Sequence, residues 1–122
     1  MKNVKPVSSD EKLLINLGTF KVCPTCILFI RGEGNYSNIF LKDGRKVLSC
    51  RTLKFFETLL QDYGFIRPSK SALVNPTYIS SIDLKIAKVI KLNNDVNISI
   101  SRRQVRPLRD FFSNKHALVG VS

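Results

Sequence analysis

The sequence has no tryptophan, one methionine, one histidine and three cysteines in 122 residues. Three cysteines are too few, and odd in number, for a disulfide scaffold. Cys23 and Cys26 have the CxxC spacing of a redox or zinc half-site, but no second CxxC exists, and Cys50 and His116 are the only other plausible ligands. The CPTC stretch also runs into ILFI, an apolar strand pattern, where a thioredoxin-like site needs a helix. The cysteines therefore read as small hydrophobes, and no metal or cofactor is expected. A single histidine near the C-terminus, with no GxSxG, P-loop or HExxH, argues against an enzyme. Glu33 and Asp43 flank one another loosely across a hairpin and lack a partner for acid–base work. Long apolar runs are missing as well. The longest, CILFI at 26–30, is far too short to cross a bilayer, and MKNVKPVSSDEK at the start has no apolar stretch of signal-peptide length. The expectation is a cytoplasmic protein with no membrane insertion.

Acid is the other scarcity. Nine Asp and Glu stand against twenty Lys and Arg, a formal net charge of +11. That excess predicts attraction to a polyanion rather than any particular fold. A hydrophobic content of 43% is ordinary for a globular chain and argues against disorder. Length, and the lack of repeats or an obvious linker, suggest one domain over 12–115, with a polar tail at 1–11 and a second tail at 116–122.

Most of the chain alternates in the manner of strands. KLLINL (12–17), TFKV (19–22), ILFIR (27–31) and YSNIFL (36–41) come first, and Asp43-Gly44 turns the last of these into RKVLSC (45–50). YISSID (78–83), AKVIKL (87–92) and NISIS (97–101) follow later, the last two joined by Asn93-Asn94-Asp95. Residues 52–63 change period. Leu53, Phe56, Leu60 and Tyr63 share one helical face, with Thr52 as N-cap and Gly64 as stop. A capping box, Ser101 with Gln104, opens the last element. Pro107 leaves two readings there: a kinked helix, or a turn over 101–106 followed by a short helix with the proline near its start.

Three segments gather the polar and basic chemistry. FIRPSK places Arg67 and Lys70 in a stiff, small-residue turn, with no acid between Asp62 and Asp83. SRRQ sets Arg102 and Arg103 at a helix or turn start, where the dipole disfavours each cation by roughly 0.3–1 kcal/mol unless an anion binds. Arg106 and Arg109 continue that side. A merely solvated face is the plain rival there. GEGNYSN (32–38) is a glycine-broken connection whose Asn35 and Tyr36 can hydrogen-bond to base edges or phosphates.

Taken together, ILFIRGEGNYSNIFLKDG, TLKFFETLL, FIRPSKSALVNPTYISSI, VIKLNNDVNISIS and SRRQVRPL resemble a LytTR-type DNA-binding domain over residues 27–112. The resemblance implies a mainly β fold, an elongated arrangement of small antiparallel sheets with one or two short α-helices. It implies sequence-specific binding of double-stranded DNA by a transcriptional regulator, with loop side chains in successive major grooves. Asn35 or Tyr36 would serve the first loop, Lys70 the second and Arg103 the third. Arg67, Ser71 and Arg102 match flanking positions suited to the DNA backbone. Ser69 stands where the family often has histidine, and Pro107 departs from the usual uninterrupted helix.

The alternative is an RNA-binding or general nucleic-acid-binding basic β module, whose mark would be aromatics stacking bases from an exposed strand face. Phe29, Phe40, Phe55, Phe56 and Phe65 mostly fall at expected core positions instead. Many relatives carry a phosphoacceptor receiver domain, for which this chain, read as complete, has no room. Weak homodimerisation on tandem repeat sites, a soluble protein inhibitor or membrane partner, and control by expression level are the expected alternatives for how it is switched.

Overall fold

The computed structural model describes the backbone of residues 15–16 and 21–119, and the side chains of residues 21–113. The expected 1–11 tail lies outside the described residues. Two short strands, β1 (Ile15–Asn16) and β2 (Lys21–Val22), pair antiparallel. The Pro24–Cys26 segment of the CPTC motif is a 3-10 turn leading into β3 (Ile27–Glu33). Cys23 is buried there, its Sγ 2.9 Å from the Thr25 hydroxyl. Among the described residues no cluster of His, Cys, Asp or Glu could hold a metal ion.

A five-stranded antiparallel sheet organises the molecule. With β4 (Tyr36–Leu41), β5 (Lys46–Ser49), β6 (Ile66–Ser69) and β7 (Ala72–Val74), its order is β5-β4-β3-β7-β6. β3 is central and covered on both faces, so Ile27 to Ile30 are all buried and the run is apolar without alternation. A bulge between Ile27 and Phe29 sends Leu28 and Phe29 to one face and Ile27 and Ile30 to the other. β4, flanking it, alternates: Ser37, Ile39 and Leu41 are buried, while Tyr36 is exposed.

One face of the sheet is closed by α1 (Leu53–Leu59), which continues into a 3-10 turn at Gln61–Tyr63. The Thr52 hydroxyl accepts from the Phe55 amide at 3.2 Å, and Gly64, at φ 81°, stops the chain. Both ends therefore fall where the sequence places them. Leu53, Phe56 and Leu60 fill the core with Ile30, Ile39 and Leu73. Phe55 departs from expectation: it is 36% exposed, because the stripe facing the sheet leaves it on the helix flank, under the Arg51 guanidinium at 4.7 Å.

The other face packs against a three-stranded antiparallel sheet of β8 (Ile79–Asp83), β9 (Val89–Leu92) and β10 (Asn97–Ser99), in the order β10-β9-β8. Phe29, Ile66, Val74, Ile90, Leu92, Ile98 and Leu108 form this second core, with Phe29 and Phe40 stacked at 4.3 Å. Asn75, 4% exposed, joins the sheets. Its side-chain amide donates to the Ile27 carbonyl at 3.0 Å and its Oδ1 accepts from the Thr77 amide at 3.1 Å.

A 3-10 turn at Arg102–Gln104 precedes α2 (Val105–Val119). The capping box does not form: Ser101 makes no side-chain cap, and its carbonyl instead accepts from the Gln104 amide at 2.9 Å. The 3-10 geometry satisfies that amide through the backbone, leaving the hydroxyl without a capping role. Of the two readings for Pro107, the second is the nearer: a turn precedes the helix, but it ends at Gln104 and the helix begins at Val105 and runs for 15 residues. Pro107 lies in the first turn of α2, where its missing N–H has no intrahelical partner to lose. α2 runs to Val119, past the residue-115 limit expected for the domain.

Candidate nucleic-acid interface

Three turns meet at one end of the five-stranded sheet, and the strand directions put them there. β3 and β4 pair down to Glu33 opposite Tyr36, so the first turn is the two residues Gly34 and Asn35. Gly34 has φ 65° and Asn35 does not have a positive φ, the pattern of a II′ hairpin turn. The expected glycine-broken loop is thus a tight hairpin, with Tyr36 inside β4. β7 is antiparallel to β3, with Ala72 opposite Arg31, so β7 begins beside the end of β3. Ser69 of β6 pairs with Ala72, leaving Lys70 and Ser71 as the second turn.

Pro68 is accordingly not in the turn, as the sequence suggests, but in the edge strand β6, buried and beside a register shift. An edge strand at a bulge is where a residue without an N–H is tolerated. Its carbonyl is put to use: the Ser101 amide donates to Pro68 O at 2.9 Å, fixing the third turn beside the second. The Gly32 amide donates to Ser71 O at 2.9 Å, fixing the first beside the second. A single row of three turns results. Gly32 eases the approach of α1, since a Cβ there would crowd Leu53 Cβ at 3.0 Å.

Asn35, Lys70, Ser71, Arg102 and Arg103 are all exposed on these turns, and Tyr36, the first residue of β4, is 51% exposed beside them. Lys70 and Arg103 line one shallow cleft of about 200 Å³ together with Glu57, Arg67, Ser69, Ser101 and Gln104. Neither cation has an intramolecular ion pair or side-chain hydrogen bond among the described residues.

Arg67 behaves differently. Its guanidinium is turned inward, with Nη1 on Glu57 Oε1 at 2.7 Å, Nη2 on Lys70 O at 2.9 Å and Nε on Ser69 O at 3.2 Å. The sequence offers no acid near it, but α1 brings Glu57 across. The Ser69 hydroxyl accepts from the Ser71 amide at 3.2 Å and closes the turn from the other side.

Sequence reasoning passed over two further cations. β5 ends beside the start of β4, with Ser49 opposite Ser37, so Arg51 emerges at this same end. Buried Ser37 donates to the Arg51 carbonyl at 2.8 Å and holds it there. Arg31, half-buried, lies between Asn38 and Ala72 and reaches over the Phe29 ring. Nothing in the local pattern of either marks the edge, because strand order decides it. The two carboxylates held below their usual range, Asp43 and Asp83, lie elsewhere. Asp43 owes its shift first to the Arg45 amide; Asp83 owes its shift to the amides of Ile86, Ala87 and Lys85. Among the described residues no helix is long and apolar enough to cross a membrane.

Comparison with known proteins gives the same picture. No curated protein matches the sequence. Among solved structures, a LytTr DNA-binding domain from Bacillus cereus superposes with a TM-score of 0.71 at 18% identity, covering 81% of this chain and 95% of that one, a likeness of fold. The family model of the LytTr DNA-binding domain matches residues 18–113. With most of its length inside that model, and three basic or polar turns on one edge, the chain belongs to the LytTr DNA-binding domain family.

Proposed function

We propose that this DNA-binding domain is a transcriptional regulator that reads double-stranded DNA by sequence, through side chains on the three turns in successive major grooves. The row of turns is the observation that carries the reading. The Gly32–Ser71 and Ser101–Pro68 backbone hydrogen bonds join them, so their spacing is set by the sheet. Lys70 donates to guanine O6 or N7 as a point charge, and Arg103 does so with a bidentate fork. Asn35 or Tyr36 serves the first groove. Arg102, Ser71 and the newly placed Arg51 hold phosphates, and their attraction is independent of sequence. Arg67, engaged by three acceptors, braces the second turn rather than reaching outward.

An RNA reading needs aromatics spread over an exposed strand face. Among the described strand aromatics, Phe29 is buried and Phe40 half-buried, which leaves Tyr36. Duplex DNA is therefore favoured, and we place the protein with its ligand in the cytoplasm. Two copies on tandem repeats, weakly associated on the DNA, would lengthen the contacted stretch, and an inhibitor protein or membrane partner remains a proposed means of control. Selection of bound duplexes from a random pool at near-physiological salt tests the reading. The expected result is an enriched motif recurring at a fixed spacing. Recovery of unenriched sequence would overturn base reading and leave only charge attraction.

A further inference from the structure

Glu57 belongs to α1 and to none of the three turns, yet it is the one acid lining the cleft shared by Lys70 and Arg103. At a surface built to meet a polyanion, a carboxylate is a Coulombic cost. Its partner gives a reason for its presence. The Arg67 guanidinium spans Glu57 Oε1, Ser69 O and Lys70 O, so one planar group links the helix to the main chain on which Lys70 stands. A guanidinium donates along directions fixed by its plane. Without the carboxylate, nothing on the α1 side would hold that plane, and the cation would be free to swing toward a phosphate. The anchor is firm, because Leu53, Phe56 and Leu60 dock α1 on the sheet.

We infer that Glu57 is a positioning residue. It orients Arg67, which locks the Ser69–Lys70 main chain, and so fixes where the Lys70 ammonium lies relative to a base edge. The inference rests on the base-reading role proposed above for Lys70. The pair is partly exposed, with side-chain exposures of 25% for Arg67 and 40% for Glu57. Pairs of that kind contribute little to stability, so the effect falls on selectivity.

The test uses the whole chain carrying Glu57→Gln, with Arg67→Lys as the second variant, since lysine keeps the charge and loses the fork. Each is titrated against the duplex recovered by the wild-type protein and against a random-sequence duplex of equal length, at one salt concentration. Melting is recorded alongside. Charge alone predicts that Glu57→Gln tightens both complexes by the same factor. Positioning predicts that random-duplex binding holds or tightens while the ratio of specific to random affinity falls about tenfold, with a similar fall for Arg67→Lys and melting little changed. Retention of the wild-type ratio by Glu57→Gln, or an equal tightening of both complexes, overturns the role of Glu57 alone. Absence of any preference in the wild-type protein overturns the base-reading function, and this inference with it.

Discussion

Arg103→Ala separates a base-reading arginine from a merely cationic one. The side chain is exposed and has no ion pair or hydrogen bond among the described residues, so its removal leaves no buried group unsatisfied. It leaves the Ser101–Pro68 backbone bond that places the turn untouched. Folding stability should therefore move by no more than about 0.5 kcal/mol, the range for surface positions. DNA binding should respond differently. Loss of a bidentate guanine contact costs about 1–3 kcal/mol, roughly fivefold to 150-fold in Kd, and relaxes discrimination at one base pair. Arg102→Ala is the internal control. As a phosphate contact it should weaken selected and random duplexes by the same factor, and lower the slope of log K against log salt by about 0.9. Titration of both variants by fluorescence anisotropy, on the selected duplex and on each single-base change, reads all of this. Equal losses on selected and random duplex for Arg103→Ala would show that the third turn supplies charge and no reading. A melting shift of many degrees would show that the residue supports the fold.

Two further outcomes concern the scaffold. Asn75→Ala removes the donor to the Ile27 carbonyl and the acceptor for the Thr77 amide inside the junction of the two sheets, and should cost about 1–3 kcal/mol, seen as a lower urea midpoint at unchanged slope. Asp83 accepts from the amides of Lys85, Ile86 and Ala87, and its folded pKa lies below the ordinary 3.8. Its contribution is present above 3.8 and is lost as pH falls through the lower folded value. The Asp83 carboxyl should therefore titrate below the ordinary 3.8 when followed by NMR, and Asp83→Asn should remove that acid-range step.

Much of the molecule was legible before any tertiary information. The helix over 52–63 follows from a 3.6-residue stripe between Thr52 and Gly64, both of which act locally. Most strands follow from alternation or apolar runs, though β6 and β7, on either side of the Lys70-Ser71 turn, are not marked as strands in the sequence, and the family follows from motifs in order. Most failures came where a distant neighbour decided the outcome, while the capping box lost to a local backbone bond. Pro68 reads as a turn residue, yet it sits in an edge strand because β6 lacks a partner on that side. Ser101 and Gln104 have the capping-box pattern, yet the backbone satisfies the amide first. Arg67 looks like a free cation, because Glu57 lies on another element.

Composition and local pattern predicted a polyanionic ligand, most of the strand and helix segments, and turns bearing Asn35, Lys70 and Arg103, which the structure shows exposed. These depend on interactions between residues close in the chain, or on sums over all of it. The row formed by the Gly34-Asn35, Lys70-Ser71 and Ser101–Gln104 turns was decided only when β7 paired antiparallel with β3 and the Ser101 amide found Pro68 O. Pairing partners are chosen by packing across the whole chain, through two cores on opposite faces of one sheet, and no stretch of sequence carries that choice alone.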